Sequence, residues 1–137
     1  MKQEEKDLLL KDLCGRLPYG VKVNVSIEEV NYVAVVQGVY ADETVFVEQN
    51  PEPYKIHRVD VVHVSEIKPY LFPLPSMTAE QKEEWISLMI KDPFGVLYYT
   101  PESFDYLYKN HIDIRGLIGK GLAIDATGLN IYKEETK

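Results

Sequence analysis

The apolar positions of the first seventeen residues recur at a helical spacing. The residues that share one face of this predicted helix are Leu10, Leu13, Cys14 and Leu17. On such a face Cys14 is expected to be a small buried residue rather than a reactive thiol. Pro18 and Gly20 then end the helix. The chain therefore predicts a short amphipathic helix at its N-terminal side.

Between residues 21 and 64 the hydrophobic period changes to two, which is typical of strands with one buried face. Four strands are predicted, at 21–27, 32–39, 44–48 and 54–64. Gly38 indicates a bulge in the second strand. Pro51 and Pro53 predict a loop before the fourth strand, because proline cannot donate to a ladder. Since no helix separates these strands, we expect an antiparallel sheet curled into a small SH3-like barrel, and a simple curled meander fits nearly as well.

The second half of the chain has a mainly helical pattern. Thr78 and Gln81 form a Thr-x-x-Gln capping box at the start of a helix. Trp85 and Leu88 share one face of that helix and are expected to anchor it on the sheet. The Asp-Pro-Phe-Gly sequence at 92–95 ends it.

Shorter elements are predicted for the rest of the chain. Residues 96–99 suit a short strand, and the Thr-Pro pair at 100–101 starts a second helix. Asp113 is expected to cap a further turn of helix that leaves through Gly121. Residues 122–132 then predict a small hairpin.

These patterns together predict one α+β domain over residues 1–137. It consists of an N-terminal helix, a β half at 21–68 and a mainly helical half at 76–137 that ends in a short hairpin. Neither half is expected to be stable alone.

Composition places the chain among soluble globular proteins, with 45% hydrophobic and 27% charged residues. Its net charge of −7 disfavours a protein whose main task is to bind nucleic-acid phosphates. The acidic side chains of residues 21–75 can instead present a negative surface to a basic protein. One cysteine excludes an internal disulfide and a thiolate metal cluster. We expect a cytoplasmic protein without a membrane span or a secretory signal.

Two segments look like family motifs. Residues 68–74 read Lys-Pro-Tyr-Leu-Phe-Pro-Leu, and 111–118 read His-Ile-Asp-Ile-Arg-Gly-Leu-Ile before Gly-Leu-Ala-Ile at 121–124. They resemble segments of small uncharacterised proteins from gut Bacteroidetes and their phages or prophages, which carry KPxLRPLSxxT and HxDxxGLIxxGLAI. The resemblance implies an origin in a mobile element and a compact fold, but no activity. Phe72 replaces a common Arg and Pro75 a common Ser, so an anion-binding role for that Arg does not carry over.

The histidines offer little catalytic or metal chemistry. His57 and His63 would lie about 20 Å apart on one strand face, which is too far to share a metal. His111 and Asp113 resemble half of a catalytic or metal pair. However, His111 falls on the apolar side of the second helix, where we expect a core histidine bonded to a backbone carbonyl. Neither catalytic residues nor a metal or cofactor site is predicted.

Ser and Gly residues are likewise explained by structure. Ser76 and Ser103 lie at helix starts, where serine is common for capping, and neither is in a G-x-S-x-G motif. Gly116, Gly119 and Gly121 have apolar neighbours rather than the sequence of a phosphate-binding loop.

Exposed tyrosines are the best candidates for binding. We select Tyr40, Tyr54, Arg58 and Tyr99, because aromatic side chains beside loops are typical of peptide grooves and single-strand platforms. The structural alternative is that these tyrosines form the edges of the core.

The function predicted from sequence is that of a non-enzymatic accessory protein of a phage or mobile element, acting through contacts with a protein partner. One alternative is a module that binds single-stranded nucleic acid through Tyr40, Tyr54 and Arg58. The other is a small hydrolase using His111 and Asp113, which requires both side chains to be exposed in one cleft.

Overall fold

The computed structural model of the protein describes residues 1–49 and 59–132. The helices are α1 (Gln3–Arg16), α2 (Ala79–Ser87) and α3 (Pro101–Lys109). The strands are β1 (Lys22–Ile27), β2 (Val30–Val39), β3 (Thr44–Gln49), β4 (Val59–His63), β5 (Ile67–Pro73), β6 (Ile90–Lys91), β7 (Leu97–Tyr98), β8 (Ile112–Asp113) and β9 (Ile124–Asp125). Three 3₁₀ turns lie at Leu17–Tyr19, Val64–Glu66 and Leu74–Ser76.

The first four strands form an antiparallel meander, and β5 returns to pair with β1, which gives the order β4-β3-β2-β1-β5. Alternating burial drives this arrangement, since Val23 and Val25 are fully buried while their neighbours in β1 are not. The register between β2 and β3 shifts at Gly38, so the predicted bulge is confirmed. Residues 50–53 and the first part of the predicted fourth strand, 54–58, lie outside the described residues.

The sheet is larger than predicted, and it is mixed. After its pairing with β1, strand β5 pairs in parallel with β9 at Tyr70 and Leu71 and with β8 at Phe72 and Pro73. The result is a seven-stranded sheet rather than a small antiparallel barrel. No ladder between described residues joins β4 to β5, so backbone hydrogen bonds do not close the sheet there.

The prediction of a mainly helical half over 76–137 is wrong. In the described part of this half, the two helices have nine residues each, and four two-residue strands lie between and after them. Strands this short carry no readable period, and the partners of β8 and β9 lie far away in sequence. The predicted hairpin at 122–132 is replaced by β9 and a turn in which Leu129 N–H donates to the Ala126 carbonyl oxygen.

The main core lies between α1 and the sheet. Leu9 and Leu13 of α1 pack against the sheet valines, and Leu117, Leu122 and Ala123 join them from the C-terminal half. A smaller cluster of Met77, Leu107 and Ile112 joins α2, α3 and β8. Because the main core takes residues from both halves, the two halves bury their apolar surface together.

The buried face of α1 also contains two charged residues, which a search for apolar positions overlooks. Asp12 and Arg16 are completely buried beside Leu9 and Leu13. Cys14 is instead exposed, so the prediction that it is buried is wrong. The buried face of α1 consists of Leu9, Asp12, Leu13 and Arg16, and Cys14 lies outside it.

A network of hydrogen bonds surrounds this buried pair, although Arg16 Nη1 is buried without a hydrogen-bond partner among the described residues. Arg16 Nε donates to Asp12 Oδ2 at 2.6 Å, and Arg16 Nη2 donates to Asp12 Oδ1 at 3.1 Å and to the Ile112 carbonyl oxygen at 2.7 Å. Arg115 Nη1 donates to Asp12 Oδ1 at 2.8 Å and to the Tyr108 hydroxyl oxygen at 3.1 Å. The network therefore joins the first helix to α3 and to the segment that follows β8.

Gly15 allows Tyr108 to approach the first helix. A Cβ atom at Gly15 would lie 2.5 Å from the Tyr108 ring, whose centroid is 5.1 Å from the Arg16 guanidinium carbon. This close approach places the tyrosine hydroxyl within reach of Arg115.

We expect Asp12→Asn to reduce the free energy of unfolding by about 3–5 kcal/mol, because it leaves a buried guanidinium without a carboxylate. The double variant Asp12→Leu/Arg16→Met should lose clearly less, since it leaves no unpaired charge at the buried pair. Urea unfolding measures both losses. A double variant as unstable as Asp12→Asn would contradict this explanation.

A matched control is the partly exposed pair of Lys6 and Glu43, whose charged atoms are 3.6 Å apart. Glu43→Gln should destabilise the protein far less than Asp12→Asn in the same assay, because solvent screens this pair.

Candidate functional site

The sequence-predicted binding residues do not form one site in the described structure. Tyr40 follows β2 and packs edge-on against Phe46, with ring centroids 4.7 Å apart. Tyr99 follows β7 and belongs to a different aromatic cluster. Tyr54 and Arg58 lie outside the described residues.

Three aromatic side chains around Tyr99 form what we call the aromatic platform: Trp85, Tyr99 and Phe104. The Trp85 and Tyr99 rings are stacked with centroids 6.0 Å apart, and the Tyr99 and Phe104 centroids are 5.3 Å apart. The Thr100 hydroxyl donates to the Leu88 carbonyl oxygen at 2.6 Å, which fixes the start of α3 against the end of α2. The platform is thus built from two capped helices, whose predicted starts at Thr78 and Thr100 are confirmed.

The platform belongs to a concentration of exposed apolar residues. Among the described residues, nine of the sixteen exposed large apolar side chains fall within 86–104. We call this set the 86–104 surface: Ile86, Leu88, Ile90, Phe94, Val96, Leu97, Tyr98, Tyr99 and Phe104. Scattered exposed apolar residues are ordinary, but a concentration of this kind is typical of an interaction site.

The tip of this surface is a turn held by a carboxylate. Asp92 accepts hydrogen bonds from the backbone N–H groups of Phe94 and Val96 and from the Tyr98 hydroxyl. The bond from the Val96 amide is the main reason that the pKa of Asp92 lies below its usual value. Gly95 takes a positive φ of 87°, which suits glycine at this position of the turn. Phe94 is consequently presented on a hydrogen-bonded hairpin with 91% of its surface exposed.

Sequence reasoning missed this hairpin because it interpreted Asp-Pro-Phe-Gly only as the end of a helix. α2 in fact ends at Ser87, and β6 and β7 pair across the turn. Asp, Pro and Gly at these spacings are also the composition of a turn between strands, and that signal could have found it. Leu88 is exposed rather than anchored on the sheet, which corrects the expectation for that residue.

The surroundings of the 86–104 surface are acidic. Residues 79–109 carry six acidic and three basic side chains: Glu80, Glu83, Glu84, Asp92, Glu102 and Asp105 against Lys82, Lys91 and Lys109. This excess of acidic residues favours a partner with basic residues beside its apolar ones.

His111 and Asp113 do not form a catalytic pair. The Asp113 carboxylate accepts bonds from the backbone N–H groups of Arg115, Leu117 and Ile118, as expected of a cap, although the segment that it caps is a turn and not a helix. His111 lies beyond the end of α3, with its ring stacked on Tyr132 at a centroid distance of 3.6 Å. Its Nδ1 atom is buried without a hydrogen-bond partner among the described residues. The expected bond from a core histidine to a carbonyl is therefore not observed at Nδ1.

The environment of His111 keeps its ring neutral. Burial, followed by the positive charges of Arg16 and Lys22, lowers the pKa of His111 from 6.5 to about 4. Its backbone takes a φ of +59°, a left-handed conformation that is uncommon for a side chain of this size.

The other candidates have structural partners. His63 contacts Ser65 and Glu43 through its two ring nitrogens, while His57 lies outside the described residues. The Ser103 hydroxyl donates to the Thr100 carbonyl oxygen, and the Ser76 hydroxyl donates to that of Pro73. In the parts of the chain that the structure describes, no three His, Cys, Asp or Glu side chains are grouped so that they could hold a metal.

Comparisons with known proteins identify no relative. No protein-family model matches the chain, and neither the curated proteins nor the solved structures contain a significant match. Among the described residues, no helix is long and apolar enough to cross a membrane.

The lowered pKa of His111 predicts a pH-dependent stability. The unfolded chain takes up a proton near pH 6.5 that the folded chain takes up only near pH 4, so stability present above pH 6.5 is lost as the pH falls. We expect the stability advantage of the wild type over His111→Asn to shrink across this interval. Asparagine is the chosen replacement because it tolerates a left-handed backbone.

Urea unfolding at stepped pH values measures this difference, and an NMR titration of the His111 ring gives its pKa directly. A constant difference between the two proteins, or a ring that titrates near its ordinary value, would refute the prediction.

Proposed function

We propose that the chain is a non-enzymatic accessory protein that acts through protein–protein contacts, and that the 86–104 surface makes these contacts. The observation that carries the proposal is Phe94, which is 91% exposed on a turn held by Asp92. Aromatic side chains presented on rigid elements are frequent energetic centres of interfaces, because little conformational entropy is lost when they bind.

The proposed partner is a protein segment that combines apolar and basic side chains. The apolar part would cover Phe94 and the aromatic platform, while the basic part would face the acidic residues of 79–109. This charge balance is also the argument against a single-stranded nucleic acid on the same aromatic rings, since its phosphates would meet carboxylates.

The setting of this contact is part of the same proposal. The resemblance of the motifs at 68–74 and 111–124 implies a phage or mobile element of gut Bacteroidetes, so the partner would be a protein of that element or its host. The cytoplasm is the proposed compartment, because it keeps a free thiol such as the exposed Cys14 reduced.

A capture experiment tests the proposal. Tagged wild-type protein, Phe94→Ala and Tyr99→Ala are incubated with nuclease-treated lysate of a Bacteroidetes host, and the bound proteins are identified by mass spectrometry. We expect a partner that the wild type retains after nuclease, and at least about tenfold weaker binding of the purified partner by Phe94→Ala. The partner's minimal binding segment should carry a net positive charge.

Val61→Ala is the matched control, because Val61 is an exposed apolar side chain on β4, outside the 86–104 surface. It should bind as the wild type does, and all three variants should unfold at similar urea concentrations. Loss of every partner on nuclease treatment would favour nucleic acid instead. Equal binding by Phe94→Ala and the wild type would exclude this surface.

A further inference from the structure

A cavity of about 540 Å³ lies away from the 86–104 surface and shares no residue with it. Its walls come from the end of β5, the 3₁₀ turn that follows it, α2, residues 109–112 and residues 127–132. A volume of this size is within the range of sites that hold small molecules. The cavity exists only when these distant segments are assembled.

The charge of the cavity differs from that of the protein. The whole chain has 22 acidic and 15 basic side chains, yet none of the ten residues that line the cavity is Asp or Glu. Lys109 is the one lining residue with a formal charge, and it makes no ion pair with a described carboxylate. The nearby charges of Arg16 and Lys22 also act on His111 in the cavity wall. Lys109 therefore offers an anion one positive charge, and no lining residue carries an opposing carboxylate.

Gln81 supplies a second hydrogen-bond donor in the cavity wall. Gln81 Oε1 accepts the Thr78 backbone N–H at 2.9 Å, which fixes the orientation of the side-chain amide. The Nε2 group of Gln81 has no hydrogen-bond partner among the described residues and is free to donate. Lysine and amide N–H groups are both suitable donors to a carboxylate or phosphate oxygen.

The remaining wall is aromatic and fixed in place. The Tyr132 hydroxyl accepts the Lys22 backbone N–H and donates to the Tyr70 carbonyl oxygen, both at 2.8 Å, so it is bound between β1 and β5. The His111 ring is stacked on Tyr132, and the Phe72 ring lies 6.1 Å from it. His111 also has a backbone φ of +59°, in a sparsely populated region whose residues cluster at functional sites.

We propose that this cavity binds a small organic anion, whose carboxylate or phosphate is held by Lys109 and Gln81 and whose apolar body lies against Phe72 and Tyr132. The positive charge selects the anionic group, and the neutral aromatic wall selects a flat or apolar body. No covalent step is part of the proposal. It is independent of the contacts proposed for the 86–104 surface.

The test uses benzoate and phenyl phosphate as probes, added to ¹⁵N-labelled protein up to about 10 mM, a range in which fragments of this size bind. We expect the backbone amide signals of 109–112 and 127–128 to shift with a saturable dependence on concentration. Benzamide, the neutral counterpart of benzoate, should bind at least about tenfold more weakly. The stronger of the two anions identifies the group as a carboxylate or a phosphate.

Two variants make the assignment specific. Lys109→Met should weaken the binding of both anions at least about tenfold without affecting the binding of benzamide. Lys120→Met, on an exposed turn, should change the binding of none of the three probes. Gln81→Glu should abolish anion binding by placing a carboxylate in the cavity. It should still fold, because glutamate at this position also completes a capping box with Thr78.

Three results would overturn the proposal. The first is the absence of saturable shifts with both anions, and the second is equal binding of benzoate and benzamide. The third is anion binding that survives both Lys109→Met and Gln81→Glu, which would locate the anion elsewhere on the protein.

Discussion

The buried ion pair between Asp12 and Arg16 is the constraint on which the remaining structure depends. Removing two charges from water is unfavourable unless hydrogen bonds satisfy them, and here the required groups come from distant parts of the chain. Arg16 donates a hydrogen bond to the Ile112 carbonyl oxygen, and Asp12 also accepts one from Arg115. The charged side chains of α1 therefore gain these hydrogen bonds only when β8 and the segment after it have their native positions. The same segment that supplies these partners also adds β8 to the sheet, so the C-terminal half is not a separate helical unit.

Local signals in the sequence predicted several individual elements correctly, although the predicted overall architecture was wrong. The valines of β1 to β3 alternate because one face is buried, and the capping boxes at Thr78 and Thr100 depend on neighbouring residues alone. Long-range features were missed for the corresponding reason. Strands β8 and β9 have two residues each, and their parallel partner is β5, so no local pattern reveals them. Cys14 was misplaced because a buried pair of opposite charges resembles an exposed helix face in sequence.

The candidate site was predicted only in part. Tyr99 was selected, but Phe94 was taken for part of a helix end. Trp85 packs against the cluster that contains Ile112 of β8, as an anchor would, and its place in the aromatic platform was not predicted. An apolar helix face has the same sequence pattern whether the fold covers it or leaves it open, so exposure at 86–104 required three-dimensional information. The small cavity depends even more on three-dimensional information, because its lining residues extend from Phe72 to Tyr132 and no sequence motif connects them. Both proposed sites use α2, where Gln81 lines the cavity and Trp85 belongs to the aromatic platform one turn later.

Tyr132 has a consequence for how the protein is made. Its hydroxyl group bonds to Lys22 of β1 and Tyr70 of β5, so a residue far from both in sequence adds hydrogen bonds beside their ladder. During translation, β1 and β5 leave the ribosome well before the tyrosine that joins them. Until residue 132 has been synthesised, β1 and β5 lack the hydrogen bonds of Tyr132. Until residue 112 has been synthesised, Arg16 of α1 lacks its carbonyl partner. The native contacts of β1, β5 and α1 are therefore complete only after residues 112–132 have been synthesised.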